Sequence, residues 1–131
     1  IRESASNKEG FTLIELMLVV SILGILAGVA VPRITGVRNE AALGVLESSA
    51  ATIRNAMERH RSIHGQYPDL TATANLTNLD DALPNTGISG KFEVESMTSS
   101  PNANPPTYQI EISHAQANDN IQITQTGITT N

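Results

Sequence analysis

One carboxylate inside a long apolar segment is the group with the clearest chemical meaning in this sequence. Between Phe11 and Pro32 the chain has 22 residues, and Glu15 is the one charged residue among them. As a helix rising about 1.5 Å per residue, such a segment is long enough to cross the ~30 Å hydrocarbon core of a bilayer. Ionisable groups in membrane helices are rare and usually have a partner. We therefore expect Glu15 to meet a cation.

Two histidines four residues apart form a second candidate for chemistry. His60 and His64 have the helical spacing of a pair of zinc ligands. The residue after His60 is Arg61, where a metalloprotease motif has Glu, and the sequence offers no evident third ligand. Both histidines also continue the apolar stripe of their helix, which favours a structural role in the core. We predict no metal site from this pair.

Oxygen-bearing side chains occur together at two further places. Asp80 and Asp81 are adjacent, and Asn118, Asp119 and Asn120 follow one another near the C terminus. These oxygens could coordinate Ca²⁺, but their spacing matches no calcium-loop motif and turn formation explains them more simply. The sequence predicts no cofactor, and calcium at these residues is the alternative.

The composition argues against several classes of function. The chain has 131 residues, no cysteine and a formal charge of −5. It contains no Gly-x-Ser-x-Gly motif, no phosphate-binding loop and no cysteine nucleophile, so we predict no catalytic residues and no enzyme. No basic patch with interleaved aromatic residues occurs, so nucleic-acid binding is not predicted either. Arginines are concentrated in residues 33–64 and carboxylates in residues 65–131. This asymmetry suits packing of a basic stem against an acidic head in a neighbouring subunit, and an acidic solvated surface is the alternative.

The apolar pattern predicts that one helix continues from the first segment into a second, amphipathic one. Apolar residues recur three and four positions apart after Pro32, at Leu43, Leu46, Ala50, Ile53 and Met57. Gly65 and Pro68 end this pattern, since Gly adopts the left-handed stop and Pro cannot continue a helix. From Phe11 the predicted helix has about 54 residues and a length of about 80 Å.

The remainder of the chain predicts a short helix and a small sheet. Leu76, Leu79 and Leu83 have helical spacing before Pro84. Apolar and polar residues then alternate in three runs that each indicate a half-buried strand, namely 92–95, 108–112 and 121–124. Links at 98–106 and 114–120 are predicted between them, and the Thr-rich tail 125–131 is predicted to be loose. The fold class is α+β, with an antiparallel sheet of about three to four strands covered by the stripe that contains Leu46, Ile53 and Met57.

The N-terminal residues resemble a known processing segment. Gly10, Phe11, the acidic Glu15 and Pro32 at the end of the apolar run are similar to the cleavage and methylation segment of type IV prepilins and type II secretion pseudopilins. The resemblance, which residues 65–68 share, implies that a prepilin peptidase cuts between Gly10 and Phe11 and that the new amino terminus is methylated. It further implies that Glu15 of an incoming subunit pairs with the α-amine of Phe11 in a subunit already in a filament.

This resemblance implies a domain plan and a set of partners. Residues 1–10 are the leader, 11–32 the transmembrane and filament-core helix, 33–65 the amphipathic helix and 66–131 the globular head. The expected partners are further copies of the chain, the prepilin peptidase, an inner-membrane assembly platform and, before assembly, membrane lipid. The expected location is the inner membrane, followed by a filament at the cell surface or across the periplasm. The first choice is a type IV pilin, and the alternative is the major pseudopilin of type II secretion.

Two features of the apolar segment bear on assembly. Gly24 and Gly28 form a Gly-x-x-x-Gly pattern that lets helix backbones approach closely in lipid. Pro32 has no N–H for the carbonyl of Gly28 and clashes with it, so residues 24–32 are predicted to be the weakest part of the helix. A plain kink is one consequence. Local unwinding during filament assembly, which the resemblance implies, is the other.

A conventional secretory signal is the more distant alternative. Arg2 and Lys8 would be its basic region, and Gly28-Val29-Ala30 its cleavage site, giving a secreted domain that begins near Val31. The charge of Glu15 and an apolar run of 22 residues argue against it, because the apolar core of a signal peptide has about 7 to 15 residues.

Overall fold

The chain folds as one long helix, one short helix and a four-stranded antiparallel sheet. The structure is a computed structural model that describes residues 10–84, 86, 88 and 92–131. Its elements in chain order are α1 Leu13–His64, α2 Leu76–Ala82, β1 Glu93–Ser100, β2 Thr107–Ser113, β3 Ile121–Thr124 and β4 Ile128–Thr130. The predicted α+β class is confirmed. Of the predicted leader, residues 1–9 lie outside the described part of the chain.

The chain divides into two units, which we call the N-terminal unit, Ile1–Gly36, and the C-terminal unit, Val37–Asn131. Helix α1 ends where its sequence predicts. Gly65 has a φ of 78°, and its N–H donates to the carbonyl of Arg61 at 2.7 Å. A residue with a side chain is strained at such a φ, so glycine stops the helix at low cost.

Helix α1 is continuous through Pro32. Three residues further on, the Thr35 hydroxyl donates to the carbonyl of Val31 at 2.9 Å. A Cβ atom added at Gly24 or Gly28 would meet nothing within 4 Å among the described residues, so packing against them does not require glycine at these positions. Unwinding of residues 24–32 during assembly stays a prediction.

The four strands form a simple meander in the order β1-β2-β3-β4, with each neighbouring pair antiparallel. The register places Val94 opposite Ile112 and Ile112 opposite Ile121, so that apolar residues from three strands share one face. The short connections suit this order, because antiparallel neighbours need only hairpin turns.

The structure corrects the predicted end of the first strand. The link was predicted to begin at Thr98, but β1 extends to Ser100. A bulge between Val94 and Ser96 shifts the register by one residue. The strict alternation that begins at Phe92 and Val94 is therefore broken, and Met97 rather than Ser96 turns to the core, where it is 5% exposed.

The structure also corrects the prediction of a loose tail. Residues 128–130 form β4 and pair with β3, and Asn131 exchanges two backbone hydrogen bonds with Asn120. All three β4 side chains are exposed, so the sequence lacks the alternating apolar signal of a strand. Backbone pairing to the edge of a sheet that already exists is what orders this segment.

The core of the C-terminal unit lies between α1 and the sheet. Leu46, Ile53 and Met57 of α1 are each 0% exposed, and they belong to one cluster with the inward residues of the strands. Those inward residues are Val94, Met97, Tyr108, Ile110, Ile112, Ile121 and Ile123. The prediction that this stripe covers the sheet is confirmed. Tyr67, Leu70, Leu79 and Leu83 complete the same cluster.

Two tyrosines join the end of α1 to the sheet. The rings of Tyr67 and Tyr108 meet edge to face with centroids 4.7 Å apart. The Tyr67 hydroxyl donates to Glu58 Oε1 at 2.8 Å and accepts from Arg61 Nη1 at 3.3 Å. The Tyr108 hydroxyl is buried and has no hydrogen-bond partner among the described residues. The pKa of Tyr108 is raised to about 12. Burial is the largest cause, and the negative charge of Glu58 raises the pKa further.

We expect Ile53→Ala to lower the free energy of unfolding by about 2–5 kcal/mol, because it removes buried methyl groups and leaves a cavity. The matched control is Ile63→Ala on the same helix, where the side chain is 70% exposed and the change is expected to stay within about 0.5 kcal/mol. Urea unfolding of the full chain in detergent micelles, followed by tyrosine fluorescence, measures both. Equal losses in the two variants would contradict the assignment of the core.

We expect stability to fall as the pH rises from about 10 towards 12, since an unfolded tyrosine has a pKa near 10. The pKa of Tyr67 is also raised, with burial the largest cause and its bond to Glu58 the next. The stability that these tyrosines contribute is fully present below the pKa of an unfolded tyrosine. It is lost as the pH rises through the higher pKa of the folded state. Urea unfolding at pH 9 and pH 11 measures the loss. Tyr108→Phe should flatten this dependence, and an unchanged slope in that variant would count against the assignment.

Candidate functional site

The first part of α1 presents a continuous apolar surface. Its large apolar side chains are each at least 47% exposed. They are Leu13, Ile14, Leu16, Met17, Leu18, Val19, Val20, Ile22, Leu23, Ile25, Leu26, Val29, Val31, Ile34 and Val37. In the described part of the chain, α1 is the one helix long and apolar enough to cross a membrane. Such a surface on all sides of a helix requires lipid or other protein to cover it.

Glu15 lies in the first turn of this helix, where Thr12 forms a capping box with it. The Thr12 backbone N–H donates to Glu15 Oε2 at 2.9 Å, and the Thr12 hydroxyl donates to the same oxygen at 3.1 Å. The Thr12 hydroxyl oxygen also lies 3.3 Å from the Glu15 backbone N–H, and the Thr12 carbonyl accepts from Leu16 N–H at 3.2 Å. This reciprocal pattern satisfies donors at the helix start and fixes the direction of the carboxylate.

The capping box occupies only one of the two carboxylate oxygens. Both bonds from Thr12 go to Oε2, and Oε1 accepts no hydrogen bond from the described residues. A carboxylate has about four lone-pair positions, so Glu15 retains capacity for another donor. The geometry therefore holds a negative charge at a fixed place in an apolar surface with one oxygen open to a partner.

The predicted processing residues precede the helix. Gly10 and Phe11 are not helical, and Phe11 is 89% exposed. The Gly10–Phe11 peptide bond thus lies in accessible backbone directly before the capping box. Gly24, Gly28 and Pro32 lie further along α1 and do not meet Glu15 in one site.

Thr12 is the residue that the sequence interpretation missed. The signal was present, because Thr12-Leu13-Ile14-Glu15 has the spacing of a capping box, in which Ser or Thr is followed three residues later by Glu. Glu15 was interpreted only as a charge in a membrane helix, so its second role in capping the start of the helix was not predicted.

The structure does not gather the calcium candidates into one cluster. Asp80 and Asp81 are exposed on α2, while residues 118–120 lie in the turn between β2 and β3. In that turn the Asn118 N–H donates to Asn39 Oδ1 at 2.8 Å. Among the described residues no group of three or more His, Cys, Asp and Glu side chains is placed to hold a metal ion. Calcium binding stays a prediction.

The predicted core role of the two histidines is wrong. His60 is half-buried and His64 is exposed, and neither belongs to the core cluster. Met57 is the last residue of α1 that is fully buried, and His60 and His64 border an open cavity instead of the packed core.

The N-terminal segment matches a defined family of sequences. The model of the prokaryotic N-terminal methylation motif matches residues 5–31. This range contains Gly10, Phe11, Thr12 and Glu15, the residues that form the site described above.

Longer matches occur with two groups of proteins. The chain is 35% identical over 88 residues to the type IV major pilin protein PilE1 of Neisseria gonorrhoeae, covering 67% of this chain and 50% of that protein. It is 36% identical over 62 residues to type II secretion system core protein G of Aeromonas hydrophila, covering 47% of this chain and 43% of that protein. A fimbrial protein of Neisseria meningitidis is 33% identical over 85 residues, which cover 65% of this chain and 46% of that protein.

The matches cover part of each relative's length. The chain spans about half the length of the curated relatives that it matches. The chain carries the prokaryotic N-terminal methylation motif and is similar in sequence to a type IV major pilin and to type II secretion system core protein G, which confirms the resemblance seen from Gly10 to Pro32.

Proposed function

We propose that this chain is a structural subunit, a pilin, of a type IV pilus-like helical filament. The observation that carries the proposal is the half-occupied carboxylate of Glu15, held at the start of an exposed apolar helix directly after the Gly10–Phe11 bond. The relatives support it, since their names describe pilin, fimbrial and secretion-system core proteins. The role is structural rather than enzymatic.

The apolar surface of α1 favours two successive environments, the membrane before assembly and the filament after it. Before assembly, lipid covers it and the chain is a single-pass protein of the inner membrane. After assembly, the same surfaces of neighbouring copies cover one another. Gly24 and Gly28 have no close contacts with other described residues, which leaves their backbones accessible to a neighbouring helix.

Cleavage supplies the cation that Glu15 lacks. A prepilin peptidase that cuts before Phe11 creates an α-amine, which is cationic at neutral pH with or without one methyl group. In the filament, Glu15 of an incoming subunit accepts from the amine of Phe11 in a subunit already in place. Opposite charges attract strongly where water is excluded, and an unpaired charge is costly there, so the pair checks the register of each new subunit.

Thr12 is a positioning residue in this scheme. Its N–H and hydroxyl hold Oε2, so the other oxygen keeps a defined direction while the subunit waits in the membrane. The incoming amine then completes the coordination of the carboxylate without removing the helix cap. The assembly platform of the inner membrane is the expected partner for this step.

The major pseudopilin of type II secretion is the second candidate. The match to core protein G favours it, but that match covers 47% of this chain against 67% for the type IV pilin. Electron microscopy of cells that express the chain distinguishes the two, because a pilus extends from the cell surface and a pseudopilus spans the periplasm.

Mass spectrometry of the native protein's N terminus tests the processing. We expect the mature chain to begin at Phe11 and to carry one extra methyl group. A chain that begins near Val31 would instead identify a conventional signal peptide and a secreted domain, and it would refute the filament subunit.

Variants of Glu15 test the ion pair separately from the helix cap. Glu15→Ala should remain a stable membrane protein that assembles poorly, because both the cap and the charge are lost. Glu15→Gln is the sharper change, since Gln can still form a capping box but carries no charge. We expect the yield of sheared filaments to fall strongly in both variants, with normal processing at Phe11.

The matched control for this experiment is Glu47→Gln, which removes an exposed carboxylate further along the same helix. Its filament yield should stay near that of the unaltered chain. A normal yield from Glu15→Gln would show that the charge has no role in assembly and that Glu15 serves only as a cap.

A further inference from the structure

The two histidines at the end of α1 form a stacked pair. The ring centroids of His60 and His64 lie 4.2 Å apart with an angle of 25° between the ring planes. Both side chains border an open cavity of ≈280 Å³ in the C-terminal unit, which Leu83, Pro84 and Thr86 also line. The pair is therefore accessible from solvent and lies outside the core and outside the proposed assembly site.

Backbone carbonyls fix which nitrogen of each ring carries the hydrogen. His60 Nδ1 lies 3.0 Å from the carbonyl oxygen of Gln66, and His64 Nδ1 lies 3.1 Å from that of His60. A carbonyl oxygen can only accept, so each Nδ1 must donate, and each neutral ring has its lone pair on Nε2. A histidine that binds a metal typically has this arrangement, in which one nitrogen is anchored to a carbonyl and the other is the ligand.

The end of the helix favours a cation over an anion. The pair lies at the C-terminal end of a 52-residue helix, where the helix dipole places a partial negative charge. Arg61 donates to the hydroxyl of Tyr67, and its guanidinium lies 5.3 Å from the centre of that ring, so it is engaged there. Arg59 borders the same cavity but is exposed, and its long side chain can turn towards water.

From these contacts we propose that Nε2 of His60 and Nε2 of His64 together bind one divalent transition-metal ion of the class that prefers imidazole, such as Cu²⁺ or Zn²⁺. Water molecules fill the remaining coordination positions. The rings tilt out of their stack so that the two lone pairs converge on the ion. Imidazole suits copper and zinc, whereas Ca²⁺ and Mg²⁺ prefer oxygen ligands, so the site excludes the latter two.

The chain contains its own control residue. His114 is the third of three histidines, and its Nδ1 accepts from the Gln116 N–H at 3.1 Å. It therefore has the opposite arrangement of hydrogen and lone pair on its ring. No neighbouring histidine completes a pair with it in the described part of the chain.

The test is a titration of the full chain, without a polyhistidine tag and in detergent micelles, with CuCl₂ by isothermal calorimetry. We expect the unaltered chain and His114→Gln to bind one ion per chain with similar affinity. His60→Gln and His64→Gln should each weaken binding roughly a hundredfold, because one ligand alone loses the advantage of intramolecular capture. Electron paramagnetic resonance of bound Cu²⁺ should show two coordinating imidazole nitrogens.

Thermal unfolding in the presence of EDTA separates loss of the site from loss of the fold. His64 is exposed, so the unfolding temperature of His64→Gln without metal should change by at most about 4 °C. Unchanged Cu²⁺ affinity in this variant overturns the proposal. The proposal is also overturned if His114→Gln weakens Cu²⁺ binding as strongly as His64→Gln does. It is overturned as well if the chain unfolded in urea binds Cu²⁺ as tightly as the folded chain.

Discussion

The proposed assembly depends on one carboxylate, that of Glu15, which lies in an apolar surface and is proposed to pair with a cation. Glu15 lies among side chains that are almost all apolar and exposed, and within the described part of the chain its carboxylate accepts hydrogen bonds only from the N–H and hydroxyl of Thr12. Those donors stabilise the carboxylate without neutralising it. The charge of Glu15 is therefore held in place but not neutralised. In the proposed filament it is neutralised by the α-amine of another copy of the chain.

The C-terminal unit is built on a different principle. Its stability comes from burial of one stripe of α1 against the inward face of a four-stranded meander. No polar or charged residue is buried among those that the structure describes. The hydroxyl of Tyr67 is bonded to Glu58 and Arg61, whereas the hydroxyl of Tyr108 is buried and has no partner among the described residues. The chain has no cysteine, so apolar packing and backbone pairing hold this unit without a disulfide.

Helix α1 contributes both to the exposed apolar surface and to the core of the C-terminal unit. Before Val37 its apolar residues surround the helix, which suits lipid or neighbouring helices. After that position they narrow to a stripe that contains Leu46, Ile53 and Met57 and is covered by the sheet. The end of this stripe at Met57 leaves His60 and His64 outside the core cluster, where they border an open cavity.

The long helix and its end at His64 could be predicted from the sequence, because hydrophobic periodicity and Gly65 are local signals. The sequence also showed the isolated charge at Glu15 and predicted the short α2 helix and the inward residues of β2 and β3. The bulge in β1 that turns Met97 inward and the pairing of β4, whose side chains are all exposed, could be seen only in the folded chain. Both features arise from backbone hydrogen bonds between strands, and such bonds leave no periodic pattern of side chains in the sequence. The exposed position of the histidine pair was likewise a tertiary outcome, since helical spacing gives the face of a residue but not how far the covering layer extends.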